Sequence, residues 1–171
     1  MSARLFLMAG LMAVLPSPVR AICYYNGRFS ATTTIRQEFH DARWVVRARV
    51  LSARYDYTDN GNWTLYRLRV VRAYKGRMPT TFTFFTTRDS GGFYMDKGIS
   101  TPDRSQDYLL FLVSYPRNSD YPTESRGAYW VNYNCGQSRA WPRLTPGQRR
   151  LLEQLASRRR APPPGPLRLN D

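Results

Sequence analysis

The chain has 171 residues, of which 42% are hydrophobic and 22% charged, and its formal net charge at pH 7 is +14. This length holds one domain with a real core but not two. Two cysteines and one histidine exclude a four-ligand zinc site that is free of carboxylates.

The positive charge is carried almost wholly by arginine. Of the 26 basic residues, only Lys75 and Lys97 are lysine. Arginine matches phosphate and carboxylate groups, so this composition favours an acidic or polyanionic partner. A coding bias towards arginine is the alternative explanation, because it raises the charge without any ligand.

The N-terminus has the three parts of a signal peptide. Arg4 supplies a positive charge, residues 5–15 (LFLMAGLMAVL) are apolar, and small residues lead to Ala21. Eleven apolar residues span only part of a bilayer. We therefore expect a signal peptide over residues 1–21 and a secreted or periplasmic chain that begins at Ile22 and has no membrane segment after cleavage.

Cys23 and Cys135 are the only cysteines. In an oxidising compartment two thiols in one small domain usually pair, so we predict an intramolecular disulfide, with free thiols as the weaker alternative.

Alternating apolar and polar residues predict five strands, over residues 44–51, 64–71, 79–88, 108–113 and 128–133. Asn60-Gly61 is a turn signal that joins the first two strands into a long hairpin. Two helices are predicted at 32–39 and 145–160, the second of which begins with Thr145-Pro146. Residues 161–171 contain four prolines and predict a disordered tail.

This order of elements fits a mostly β domain over residues 22–144, namely a five-stranded Greek-key barrel of the oligonucleotide/oligosaccharide-binding (OB) type. A short helix precedes the barrel and a C-terminal helix follows it. The alternation predicts a core of ten side chains: Val46, Ala48, Val50, Tyr66, Leu68, Val70, Phe82, Phe84, Leu110 and Leu112.

Catalytic patterns are weak. Residues 89–92 (DSGG) are similar to the nucleophile loop of trypsin-type proteases, and His40 lies upstream. That fold needs two barrels and a buried aspartate between histidine and serine, which this chain does not offer. The acidic residues suggest no pair of facing carboxylates. We therefore expect that the chain is not an enzyme and binds no cofactor or metal. We expect His40 to lie on the surface.

The first two strands offer a binding candidate. Four arginines should project away from the core and form one basic patch, the arginine stripe: Arg47, Arg49, Arg67 and Arg69. Three aromatic residues should lie near its end: Tyr55, Tyr57 and Trp63. Such a face could bind nucleic acid or another polyanion. An ordinary solvated strand face is the alternative.

Several motifs occur in a recognisable order. A cysteine follows the signal peptide, and residues 41–50 (DARWVVRARV), 71–76 (VRAYKG) and 108–111 (YLLF) come next. Cys135 and Trp141 complete the series. Over residues 23–144 this order resembles the netrin-like N-terminal domain of the tissue inhibitors of metalloproteinases and their bacterial secreted relatives.

The resemblance implies a binding module that contacts a protein, with a protease as one target. In the family a first-residue cysteine chelates the zinc of the target. Cys23 and Cys135 look like the family's second disulfide pair, whereas Ser90 stands where the first pair would have a cysteine. The chain should therefore inhibit a metalloproteinase only weakly. The implied contact residues are Ile22, Cys23, Tyr24, Ser90, Gly91 and Gly92, with the loop continuing to Tyr94. A monomer is expected.

Overall fold

The computed structural model describes residues 23–25, 28–30, 33–58, 61–88, 92–114, 122–131 and 136–160. The described chain is mostly β, with a six-stranded sheet that curls into a partly closed ring and two α-helices. The predicted signal peptide, the predicted C-terminal tail, Ile22, Ser90, Gly91 and Cys135 lie outside the described residues. The predicted disulfide therefore stays a prediction.

A long antiparallel hairpin dominates the sheet. Strand β3 covers Trp44–Thr58 and β4 covers Gly61–Lys75. The sequence predicts this hairpin but makes both strands too short, because its alternation ends at Leu51 and resumes only at Thr64. The ladder instead continues to Thr58 and Gly61. Register shifts lie at three points of β3, one of them between Val50 and Ser52, and such shifts change which side chains face the interior.

Three further strands close most of the ring. β5 (Thr81–Thr87) pairs with β4, and β6 (Asp107–Ser114) pairs back onto β3. The short β7 (Tyr129–Trp130) bridges β5 and β6. One more short strand, β8 (Arg139–Ala140), lies on β6 and was not predicted. Outside the ring, Cys23–Tyr25 (β1) and Arg28–Ser30 (β2) form a separate small hairpin.

The interior of the ring is filled by the residues that the alternation predicted. Nine of the ten are buried in one cluster, and Val70 is partly buried against it. Met95, Tyr108 and Val131 complete the packing. Strand β6 is buried along most of its length. A strand that is packed on both faces has a nearly continuous run of apolar residues. The prediction that this strand is central and buried on both sides is therefore confirmed.

Two helices cover the outer face of β3 and β6. Helix α1 (Ile35–Asp41) begins with a capping box formed by Thr34 and Gln37. Helix α2 (Pro146–Arg160) follows Thr145, whose hydroxyl accepts a hydrogen bond from the backbone NH of Gln148 at 3.2 Å. Both predicted helices are confirmed, with small shifts in their bounds. A second apolar cluster lies between helices and sheet and consists of Ile35, Phe39, Ala42, Val45, Tyr74, Leu109, Phe111, Leu144, Leu152 and Ala156.

Two short 3₁₀ turns, Thr123–Ser125 and Trp141–Arg143, complete the described chain. Neither helix is long and apolar enough to cross a membrane, as far as the described residues go.

Candidate functional site

The β3–β4 hairpin and the segment after β5 together hold a polar cluster at one mouth of the ring. Arg88 directly follows β5, and its guanidinium forms an ion pair with Asp96. The Nε of Arg88 also donates to Thr64 Oγ1 at 2.6 Å, and its backbone NH donates to the carbonyl of Asn62. Side-chain exposure is only 17% for Arg88 and 7% for Asp96. Both charges are thus removed from water as a bonded pair.

Tyrosines surround this pair. The hydroxyls of Tyr55 and Tyr66 each donate to Asp96 Oδ1 at 2.8 Å. Burial, followed by the hydrogen bond to Asp96, raises the pKa of Tyr55. Burial also raises the pKa of Tyr66. Both phenols therefore stay neutral and act as donors throughout the physiological range.

The guanidinium of Arg88 lies against three aromatic rings. Its carbon lies 4.9 Å from the ring centre of Tyr55, 5.6 Å from that of Tyr57 and 5.0 Å from that of Tyr94. Tyr55 and Tyr57 stack with nearly parallel planes. Burial by itself would lower the pKa of Arg88, but the hydrogen bond to Asp96 and its charge raise it. We call Tyr55, Tyr57, Arg88, Tyr94 and Asp96 the mouth cluster.

The mouth cluster also presents apolar surface to water. Tyr57 is 51% exposed and Tyr94 39% exposed, whereas Ile99 is 92% exposed on an adjoining turn. That turn is closed by a hydrogen bond from the Lys97 backbone NH to the Thr101 carbonyl, and the hydroxyls of Tyr57 and Ser100 bond to each other. Three of the four large hydrophobic side chains exposed in the described residues are therefore neighbours.

Part of the contact edge implied by the resemblance adjoins this surface. A Cβ at Gly92 would overlap the hydroxyl of Tyr94 and the Thr87 carbonyl, so only glycine fits this close approach. The missing side chain at Gly92 leaves room for Tyr94 to lie close to the end of β5. Cys23 and Tyr24 lie in β1, and the positions of their side chains are not part of the description.

The arginine stripe is less uniform than the sequence predicted. Arg47 Nε donates to Asp107 Oδ2 at 2.6 Å, and Arg49 Nε donates to Asp107 Oδ1 at 2.6 Å. Asp107 is 1% exposed in its side chain, against 32% and 42% for the two arginines. The guanidinium of Arg47 also lies 4.5 Å from the ring centre of Trp141. Half of the stripe is therefore engaged by a buried carboxylate.

The other half is free of such contacts. Arg67 and Arg69 are exposed on β4, and among the described residues neither has an ion-pair or hydrogen-bond partner. The ladder places Arg69 directly opposite Arg49 and places Arg72 opposite Arg47. Arg72 pairs with Glu153 of α2. The sequence did not identify Arg72 as a member of this face.

Of the three aromatic residues predicted at the end of the stripe, Tyr55 and Tyr57 are not on its face, which corrects that expectation. Trp63 does lie on the same side of β4 as Arg67 and Arg69, but its ring is buried. After the register shift at Val50/Ser52, Tyr55 follows the interior side of β3 and meets Tyr66. Trp63 is buried against Phe85, with the guanidinium of Arg54 above its ring. The tyrosines and the arginine stripe therefore face different directions.

His40 lies on the surface, as the sequence predicts. The side chain of His40 is exposed at the end of α1, and its Nδ1 lies 2.8 Å from Oδ1 of the neighbouring Asp41. Among the described residues there is no group of three or more metal-ligating side chains.

Besides Arg72, the residues that sequence reasoning missed are Arg88, Asp96 and Asp107. Each is a single charged residue in an irregular or terminal position, and only the folded chain brings it to its partners. No family model matches the chain, and no curated protein is significantly similar to it in sequence.

Proposed function

We propose that the chain is an exported, non-catalytic binding module that contacts a protein partner through the mouth cluster. The carrying observation is that Tyr57, Tyr94 and Ile99 are exposed together around the buried Arg88–Asp96 pair. Large apolar side chains rarely remain exposed side by side unless they serve an interaction.

The chemistry of this surface supports a protein partner. Tyrosine and arginine are enriched among the residues that dominate binding energy at protein interfaces. The ring of Tyr57 is stacked on Tyr55, and its hydroxyl is bonded to Ser100. A side chain that is fixed before contact loses little conformational entropy on binding. The mouth cluster is therefore organised for contact in the free protein.

The finer type of fold belongs to the same proposal. In the ring, β5 pairs with the long β3–β4 hairpin, and β6 returns to pair with β3. This order is compatible with an OB barrel of the netrin-like type. With that likeness, a zinc endopeptidase is the first target to test. Inhibition should be weak, because Ile22 has no disulfide of its own to fix a chelating terminus.

The test is to measure binding of the mature chain, with an authentic Ile22 terminus, to a panel of zinc endopeptidases. Tyr57→Ala and Tyr94→Ala should each weaken the binding by about tenfold or more. Val71→Ala is the matched control, because Val71 is also an exposed apolar side chain but lies on β4 away from the mouth cluster.

Equal losses from Val71→Ala and the tyrosine variants would reject the mouth cluster as the contact surface. Failure of every endopeptidase to bind would reject the protease as target. Nanomolar inhibition that one extra N-terminal residue abolishes would instead mark a strong inhibitor, against the weak inhibition that we propose.

A further inference from the structure

We infer that the arginine stripe, extended by Arg72, is a second binding site, which takes a linear polymer carrying phosphate or sulfate groups without nucleobases. This site is independent of the proposed protein contact, because the stripe and the mouth cluster face different directions. Its ligand is recognised by charge and by hydrogen bonding to oxyanions.

The first support is an excess of positive charge that the fold itself does not relieve. Five arginines occupy this face, and two carboxylates, Asp107 and Glu153, bond to three of them. Three positive charges therefore remain in excess. Arg49 opposes Arg69 across the ladder, and Arg47 opposes Arg72. Like charges in directly opposed positions destabilise a sheet, and a bound polyanion would relieve that repulsion.

The second support is the supply of donors. Arg67 and Arg69 keep their guanidinium groups available, and these groups can bind phosphate or sulfate with two parallel hydrogen bonds. Thr83 of β5 lies opposite Arg67, and Thr81 lies opposite Arg69. Threonine hydroxyls beside arginines add neutral donors that can also reach an oxyanion.

The third support is the shape of the site and the residues it lacks. Arg67 and Arg72 are five residues apart on one strand, which corresponds to about 17 Å. A row of this length fits a chain of several anionic groups better than one small ion. The aromatic rings on the described part of this face are buried or covered: Trp63, Tyr74 and Phe85 are buried, and the guanidinium of Arg47 lies over the half-buried Trp141. Bases would therefore find little open ring surface on which to stack.

The experiment titrates the mature chain against fluorescently labelled heparin, inorganic polyphosphate and oligo(dT) of matched total charge, from 50 to 300 mM NaCl. Arg67→Glu/Arg69→Glu is the test variant. Arg36→Glu/Arg126→Glu is the control, with the same change in net charge at exposed residues of α1 and of the turn before β7. Denaturation midpoints verify that both variants remain folded.

We expect heparin or polyphosphate to bind, and the stronger of the two identifies sulfate or phosphate as the preferred group. The Arg67→Glu/Arg69→Glu variant should lose about tenfold or more in affinity at 100 mM NaCl, and its salt slope should fall by about 1.4 for two lost contacts. The control should change little. Equal weakening by the control, no binding of either base-free polymer, or oligo(dT) binding more than about tenfold tighter than both would each overturn the inference.

Discussion

Asp96 and Asp107 are both buried carboxylates bonded to arginine, but they are completed by different partners. Asp96 pairs with one arginine, Arg88, and accepts two tyrosine hydroxyls. Asp107 instead binds two arginines, Arg47 and Arg49. The first group is electrically neutral, and the second carries one net positive charge.

This difference determines what each surface can bind. At the mouth cluster the charges cancel and are covered by tyrosine rings, so the surface offered to a partner is aromatic. At the arginine stripe the carboxylate orients two arginines without neutralising both, so the surface remains positive. One arrangement suits a protein interface, and the other suits an anionic polymer.

The largest effect should come from Asp96→Asn. Arg88 is mostly buried and would keep its charge without a counter-ion, and breaking a buried ion pair by removing one partner costs about 3–5 kcal/mol. The free energy of unfolding, measured by urea denaturation at pH 7, should fall by roughly that amount. Tyr55→Phe is the control, because it removes only one neutral donor to Asp96, and we expect a loss of about 1 kcal/mol.

Asp107→Asn should cost less, about 1–2 kcal/mol, because Arg47 and Arg49 can turn to water and the solvent screens their charges. The same variant adds one positive charge to the arginine stripe, so its affinity for heparin should rise. Asp96→Asn, assayed under the same conditions, should leave that affinity unchanged. A larger stability loss for Asp107→Asn than for Asp96→Asn would reverse the comparison.

The alternation of side chains was enough to predict the ring interior. Val46, Ala48 and Val50 repeat at period two and occupy one buried cluster with Leu68 and Leu110. Strand ends were harder to predict. The register shift beyond Val50 interrupts the period, and the ladder extends to Thr58 and Gly61, beyond the predicted strand ends. Local sequence contains no signal for a shift that depends on the partner strand.

Tyr74, Lys75 and Gly76 form the end of the VRAYKG motif, whose structural role could not be predicted from the sequence. Tyr74 is buried under the helices, and Lys75 Nζ donates to the carbonyls of Phe39 and His40 at 2.8 and 2.7 Å. Lys75 thus caps the C-terminal end of α1. Gly76 has φ +73° and lies against Trp44, where a Cβ would overlap the indole ring. These roles are structural, and they depend on contacts about 35 residues away.

The candidate site could be predicted only in part for the same reason. The four arginines of the stripe could be predicted because side chains alternate between the two faces of a strand. Asp107, which bonds to two of them, lies on β6 about 60 residues away in sequence. Arg88 and Asp96 are eight residues apart with an irregular segment between them. Which lone charges meet depends on the register of the whole sheet.

A third buried carboxylate, Glu38, extends the comparison because its hydrogen bonds come from neutral donors. Glu38 Oε1 accepts from the Thr33 hydroxyl and from the Gln137 backbone NH, the latter at 2.8 Å. Burial raises the pKa of Glu38 from its ordinary value of 4.5, although both hydrogen bonds and the nearby charge of Arg139 lower it, and the charge of Asp41 raises it slightly.

The smallest effect that we predict is therefore a change in how the free energy of unfolding depends on pH. Because the pKa of Glu38 is higher in the folded state than in the unfolded state, its contribution is fully present below about pH 4.5 and is lost as the pH rises through the folded pKa. Glu38→Gln keeps an oxygen that accepts both hydrogen bonds but cannot ionise. The difference in unfolding free energy, variant minus wild type, should increase as the pH rises above about 4.5 and level off above the folded pKa. The other titrating groups are common to both proteins and cancel in this difference. A difference that decreased with pH would show that the attraction of Arg139 for the ionised carboxylate outweighs the burial, and that Glu38 behaves as an arginine-paired carboxylate as well.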